Sequence, residues 1–469
     1  MGKKERFYVD IMAAHPEVTG SCNLIIVKFP DGETVKFIVD CGLFQEKEYD
    51  ELNSSLLFNA ESIDFCLITH NHVDHTGRIP LLVKHGFYRE IYATETTCKL
   101  LPLALEDSLR VLNDVAKRKN QRPLYGEGDL NRSLTLIKPC KFMETINVRE
   151  NIKVTFLNNG HLIGAACILV QISYPDCEDI NLFFTGDYNK KNLFFDVTPI
   201  PEWILKLPLT VIQESTYGNM DSTEIEEVFK DNILNAIKNS GTVIVPVFSL
   251  GRAQEILYVL KCMQSEGLIT VPIYFDGKLA IKYTNLYLKG ELGIKDEMKD
   301  FLPKDLNFVD KNSRSDILSD SKSKIIVTTS GMGSYGPAQV YIHEYLSDKK
   351  AMIHFTGYTT EGTLGRRLKD AVDGKGVEVG GVIIKKNAKV EHTTEFSAHA
   401  KADEMIEFLK QFENLKLILI NHGEIDTKLD FAHRITDEVD VKGVGILGRE
   451  YFFRVNHYGL VKSLSTKFK

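Results

Sequence analysis

Residues 67–77 read "LITHNHVDHTG", and this stretch decides how the chain is understood. His70, His72, Asp74 and His75 place four potential metal ligands within six positions. An apolar run, "DFCLIT", delivers His70, and His72 follows two residues later, so both imidazoles can leave an extended backbone on the same side. Asp74 and His75 come next, at the mouth of a helical pattern, "TGRIPLLVKHG". A lone histidine here would read as a polar loop residue bonded to backbone. Four donors at this spacing read as metal ligands on a loop held by a rigid scaffold. A closed zinc site takes about four protein ligands, so the stretch leaves open one crowded site or the start of two.

Further donors stand at three other strand ends. His161 follows a strand in "NNGHLIGA", Asp187 lies in "NLFFTGDY", and His422 lies in "ILINHGE". Each alone could be structural. Together they fit a sheet whose strand ends converge on one site.

The rest of the sequence sets the frame. At 469 residues the chain is long enough for two or more domains. Its 43% hydrophobic and 26% charged content is ordinary for a soluble globular protein. No stretch approaches the ~18 apolar residues of a membrane span, and "MGKKERFYVD" has no secretory apolar core, so no membrane partner is expected. Gly2 lacks the Ser or Thr context of a myristoylation signal. Eight cysteines form no CxxC pair, and several sit in apolar runs, which reads as buried thiols in a cytoplasmic protein. The formal charge of −7 argues weakly against nucleic acid, but it counts carboxylates that a metal would neutralise. "AKRKNQR" (116–122) and "GRRLK" (365–369) are candidate basic patches, or simply solvated helix faces.

Three zones differ in texture. Residues 1 to about 205 are rich in β-branched and aromatic runs, interrupted by a helical stretch near 94–120. Residues 210–375 alternate strand and helix, which predicts βαβ units and a parallel sheet. A helix is expected near 222–239, with Asp221 as N-cap and Glu224 three residues on. Beyond about 380 the chain returns to strands with one amphipathic helix, "DEMIEFLKQF", and ends in a hairpin turning at Asn456–Gly459.

In order along the chain, Asp40 in "FIVDCG", the HxHxDH loop, His161 and Asp187 resemble the metallo-β-lactamase superfamily. "QESTYG" (213–218), "PVFSLGRAQEIL" (246–257), "TGYTTEGTLGRRL" (356–368), "EFSAHA" (395–400) and "NHGE" (421–424) are similar to its β-CASP branch. These are nucleases like the endonuclease that processes messenger RNA 3′ ends, and like compact bacterial relatives. The resemblance implies an α/β fold: an αββα metallo-β-lactamase sandwich from residues 1–209 and 376–469, with a parallel-sheet β-CASP domain inserted at 210–375. It places the active site in the cleft between them, where a single strand enters more readily than a duplex.

The resemblance also implies roles. His70, His72 and His161 would hold one metal; Asp74, His75 and His422 a second; Asp187 would bridge. These donors suit two Zn²⁺, with Mn²⁺ as the alternative. A water activated by both ions would be the nucleophile. Asp40, grouped with the catalytic residues Asp74, Glu214 and His399, would orient a ligand or that water. His399 in "EFSAHA" would be the general acid, its tautomer held and its pKa raised by Glu214 of "QEST". Ser397 and Arg252 would bind substrate phosphate, with the "SGMGSYGPA" loop as a further backbone cradle. His15, His85, His343, His392, His433 and His457 belong to no motif, and His354 reads as a core histidine.

The expected function is therefore a zinc-dependent ribonuclease cutting single-stranded RNA internally. In this branch RNA-directed members tend to carry histidine at the position of His422. The alternatives are a 5′–3′ exoribonuclease, a DNA nuclease of the same family, and, from another class, a catalytically silent scaffold subunit of RNA processing. A homodimer is compatible with the sequence.

Overall fold

The computed structural model describes residues 6–15, 17–222 and 228–465. The chain divides into two compact units. The first comprises 1–192, 196–222 and 399–469, and the second 193–195 and 223–398.

The first unit holds two sheets. One has eight strands, in the order Gly459–Ser465, Tyr451–Asn456, Tyr8–Ala13, Asn23–Lys28, Thr34–Val39, Phe65–Leu67, Ile91–Thr94 and Ile137–Cys140. The other has seven: Val444–Ile446, Leu415–Ile420, Leu209–Gln213, Ile180–Phe184, Ala166–Ile172, Ile152–Asn158 and Thr145–Arg149. The strand period of two sorts side chains between layers. Val9, Ile11, Ile25 and Phe37 pack with Val154, Phe156, Val170, Leu182 and Leu419 between the sheets. Met12, Leu24 and Ile38 face the other way, against Ile79, Leu82, Leu101 and Leu105 of the helices Ile79–Lys84 and Glu95–Lys119. On the far face of the second sheet, Leu169, Val211 and Ile418 pack with Met405, Ile406, Phe431 and Ile435. The helices Ala402–Leu409 and Ile425–Glu438 form that layer. Each sheet thus buries both faces, and the result is the expected helix–sheet–sheet–helix sandwich.

The second unit is built on six parallel strands, in the order Asn307–Phe308, Ile273–Asp276, Lys324–Thr328, Thr242–Pro246, Met352–Phe355 and Lys389–His392. Helices Arg252–Ser265, Lys278–Leu288, Gly336–Tyr345 and Leu364–Asp370 follow successive strands, as the alternating texture predicts.

The divisions fall elsewhere than at 209 and 376. Residues 209–213 pair in parallel with both Ile180–Phe184 and Leu415–Ile420, so they are central to the seven-stranded sheet. Residues 389–392 pair in parallel with Met352–Phe355, which draws the segment before His399 into the second unit. The long helix runs Glu95–Lys119, capped by Thr94. The helix expected near 222–239 is described as Val228–Lys238, and the Glu224 capping position lies outside the described residues. Among the described residues no helix is long and apolar enough to cross a membrane.

The basic stretches are largely engaged with the protein. Lys119 pairs with Asp50 and Arg118 donates to the Asp114 carbonyl. Arg366 pairs with Asp370, and Arg367 donates to the Glu378 carbonyl. This matches solvated helix faces.

Candidate metal centre

Six segments deliver the site from strand ends of the first unit. Asp40 follows Thr34–Val39, His70 follows Phe65–Leu67, and His161 follows Ile152–Asn158. Asp187, Glu214 and His422 follow Ile180–Phe184, Leu209–Gln213 and Leu415–Ile420. The short helix Val73–Thr76 turns Asp74 and His75 back towards them. Close backbone approach makes this possible. A Cβ on Gly42 would stand 1.5 Å from the Asp74 carbonyl oxygen, so only glycine lets these loops touch.

The donor atoms fall into three neighbouring groups, the first and last sharing Asp187: His70, His72, His161 and Asp187; Asp74, His75 and His422; and Asp187, Glu214 and His399. His72 Nδ1 lies 3.2 Å from both His70 Nε2 and His161 Nε2. His75 Nε2 lies 3.2 Å from His422 Nε2 and 3.9 Å from Asp74 Oδ2. Asp187 Oδ2 stands between the groups, 3.6 Å from His70 Nε2, 3.7 Å from His161 Nε2 and 3.3 Å from His75 Nε2.

This geometry fits metal ions. Two ligand atoms ~2.0–2.1 Å from one ion at tetrahedral angles stand roughly 3.3–3.4 Å apart. Hydrogen bonding explains the cluster less well, because the single lone pair of one imidazole nitrogen, His72 Nδ1, cannot accept from two neighbours at once. The ion pairs of Asp40, Asp74 and Asp187 run to histidines, which leaves buried carboxylate charge for a cation to balance.

The rear nitrogens are held as well. The Nδ1 of His75 lies 2.7 Å from Asp40 Oδ2, so its proton is donated there and Nε2 keeps its lone pair for the centre. Asp40 is itself fixed by the N–H and hydroxyl of Thr69, at 2.8 and 2.9 Å. His70 Nδ1 meets the Thr69 hydroxyl at 3.0 Å, and His422 Nδ1 meets the Thr216 hydroxyl at 3.1 Å. Asn159 takes the His161 N–H on its carbonyl oxygen and donates to the Thr185 and Asp187 carbonyls. Thr69, Asn159 and Thr216 escaped the sequence reading. Their only signal is adjacency to a ligand or to Glu214, as in "ITHNH" and "QEST".

Burial and charge divide the titratable groups. Burial lowers the pKa of His70, His72 and His422 below the imidazole norm, that of His72 to about 3, so these rings are neutral donors at pH 7. Burial works against the His75 imidazolium too, but the carboxylates of Asp187 and Asp40 outweigh it and raise its pKa, so a metal ion at Nε2 would have to displace a proton there. Burial opposes ionisation of Asp187, yet the His422 and His75 rings beside it hold its pKa well below the carboxylate norm.

His399 completes the cluster. Its Nδ1 lies 3.0 Å from both carboxylate oxygens of Glu214, a buried side chain. Burial disfavours the imidazolium, but Glu214 and then Asp187 more than compensate, so the pKa is raised. The ring of His399 stands 4.8 Å from that of His161. His72, Asp74 and His399 are half-buried while the other donors are buried, so the centre opens on their side.

The two expected phosphate binders lie in the second unit. Arg252 is buried, and its guanidinium donates to the Thr356 and Phe396 carbonyls and, at 3.0 Å, to Glu255. It ties two loops together. Ser397 is half-buried, its N–H donating to the Thr394 carbonyl. His354 is buried in contact with Phe229, as a core histidine should be.

Comparison with known proteins agrees with this geometry. Residues 18–156 match the metallo-beta-lactamase superfamily model, 253–368 the Beta-Casp domain, and 383–444 the Zn-dependent metallo-hydrolase RNA specificity domain. The chain is 30% identical over 420 residues to ribonuclease TTHA0252 of Thermus thermophilus, covering 87% of this chain and 91% of that one. It is 29% identical over 432 residues to the RNase J-like protein of Methanocaldococcus jannaschii, covering 89% of this chain and 94% of that protein. It is 30% identical over 428 residues to transcription termination factor FttA of Methanococcus maripaludis, covering 85% of this chain but only 64% of that longer protein. A sandwich with histidines and aspartates converging at its strand ends, a parallel-sheet second unit and nearly full-length similarity to such relatives lead to one assignment: the chain belongs to the β-CASP family of the metallo-β-lactamase superfamily.

Proposed function

We propose that the chain is a zinc-dependent ribonuclease that hydrolyses phosphodiester bonds within single-stranded RNA. The observation that carries this reading is the overlap at Asp187. A carboxylate shared by two sets of imidazole donors borders a His399–Glu214 pair that can move a proton. His70, His72 and His161 would hold one zinc ion and Asp74, His75 and His422 a second, with Asp187 in reach of both sets. When bound, such ions lower the pKa of a water and offset charge on a phosphate.

The chain's own residues do the rest. Glu214 accepts the Nδ1 proton of His399, which leaves Nε2 to carry the proton that the leaving oxygen takes. The carboxylate also favours the charged ring, so the acid form is populated near neutral pH. Asp40 and Thr69 keep His75 and His70 in the tautomers that present Nε2.

RNA as substrate is supported by the RNA specificity domain matched at 383–444 and by the ribonuclease among the relatives. A single strand suits a recessed centre, because its flexible backbone can bend a phosphate towards mostly buried donors. The test is digestion of one RNA carrying either a 5′-phosphate or a 5′-hydroxyl, beside the matching DNA. Internal cuts in both RNAs, faster than in DNA, support the reading. Mononucleotides released only from the 5′-phosphate form would replace it with a 5′ exonuclease, and equal DNA cleavage would remove the preference for RNA.

A further inference from the structure

The turn after the strand Leu209–Gln213 does more than supply Glu214. It is bonded to the turn after the neighbouring parallel strand, Leu415–Ile420, which supplies His422. The Ser215 N–H donates to the His422 carbonyl at 3.1 Å, and the Ser215 hydroxyl donates to the Asn421 carbonyl at 2.9 Å. Gly423 lies so close that a Cβ there would stand 2.3 Å from the Ser215 hydroxyl oxygen. His422 itself has φ +48°, a left-handed conformation uncommon outside glycine. The backbone of His422 is therefore held from Ser215.

The next residue addresses the ring. The buried hydroxyl of Thr216 lies 3.1 Å from His422 Nδ1, closer than Asp187 Oδ1, which stands 3.4 Å from the same nitrogen, while Nε2 of the ring faces His75 Nε2 at 3.2 Å and Asp74 Oδ2 at 4.0 Å. A hydroxyl can accept the Nδ1 proton, and the other nitrogen then keeps a lone pair directed at the Asp74–His75 side. Thr216 is tied to the acid pair as well, its N–H donating to Glu214 Oε2 at 3.3 Å. We infer that Thr216 is a positioning residue for the ion held by Asp74, His75 and His422: its hydroxyl fixes the tautomer of His422. This rests on the proposed two-ion centre. It assigns the ring of His422 the support that Asp40 gives His75 and Thr69 gives His70.

The symmetry has a consequence. Losing the hydroxyl should loosen one ion and leave the other, because His70, His72 and His161 do not depend on Thr216. The test uses Thr216→Val, which keeps the shape and removes the acceptor, and Thr216→Ser, which keeps the hydroxyl. Zinc is competed from each protein by a chromophoric chelator, with far-ultraviolet circular dichroism to confirm folding. For Thr216→Val one ion should leave about 10–100-fold more readily, as when comparable ligand supports are removed. The second ion should hold as in wild type, and Thr216→Ser should restore both. Two ions held by Thr216→Val with wild-type affinity would overturn the inference, as would equal weakening of both. If Thr216→Val does not fold, Thr216→Ala takes its place with the same expectations. A wild-type protein that binds only one ion would instead overturn the two-ion reading, an outcome visible before any variant is compared.

Discussion

Asp40 Oδ2 lies 2.7 Å from His75 Nδ1, and both side chains are buried. Asp40 has φ +65°, and its carboxylate takes the Thr69 N–H and hydroxyl as well. One aspartate thus ties its own loop to the loop that carries His70 and His75. All its hydrogen-bond partners here act as donors, so Asp40→Asn would turn an amide N–H₂ against one of them. Asparagine also tolerates positive φ, which keeps the backbone effect small. The variant should fold and hold zinc about 10–100-fold more weakly. Chelator competition measures this, and unchanged affinity would remove Asp40 from the support of His75.

Glu214 sets the charge of His399. The raised pKa means that the proton is present below that value and lost as pH rises through it. RNA cleavage should therefore fall on the alkaline side of its pH profile. Glu214→Gln removes the carboxylate that raises the pKa, so the alkaline limb should move to lower pH. His399→Ala should abolish cleavage and leave metal content intact. A limb that stays in place in Glu214→Gln, or a large loss of metal in His399→Ala, would contradict the assignment of His399 as acid.

Lys428 lies outside the metal centre, in the helix Ile425–Glu438, and is 2% exposed. Burial lowers its pKa to about 8, with the Glu17 carboxylate opposing part of that shift. The unfolded chain keeps its lysine protonated to about pH 10.4. Between about pH 8 and 10 the unfolded state therefore binds more protons, and this group adds stability as pH rises. Lys428→Met should be stabilising relative to wild type at pH 7, and its advantage should shrink towards pH 10. Denaturant unfolding at the two pH values checks this. A stability difference independent of pH would mean that the lysine is not charged at a cost.

The convergence of the candidate donors was legible because they cluster where sequence is informative. His70, His72, Asp74 and His75 lie in one loop, and His161, Asp187 and His422 each end an apolar strand, so strand texture located them. The supports were not legible. Thr69 and Thr216 are ordinary threonines until two parallel strands bring distant turns together, and only the register shows that Thr216 faces His422. The unit boundaries were missed for a related reason. Residues 389–392 have strand texture, but texture does not say which sheet a strand joins, and their pairing with Met352–Phe355 decides it. The bonds of the Arg252 guanidinium to two loop carbonyls were not legible either, because a glycine–arginine pair after a strand does not announce which loops it will meet.

A two-ion centre that cuts RNA is tested most directly by the zinc-to-protein ratio of the RNA-cleaving fraction. About two zinc ions are expected per chain, with cleavage lost on chelation and regained when zinc is returned. A ratio of one or none in fully active protein, or cleavage that survives removal of the metal, would contradict it.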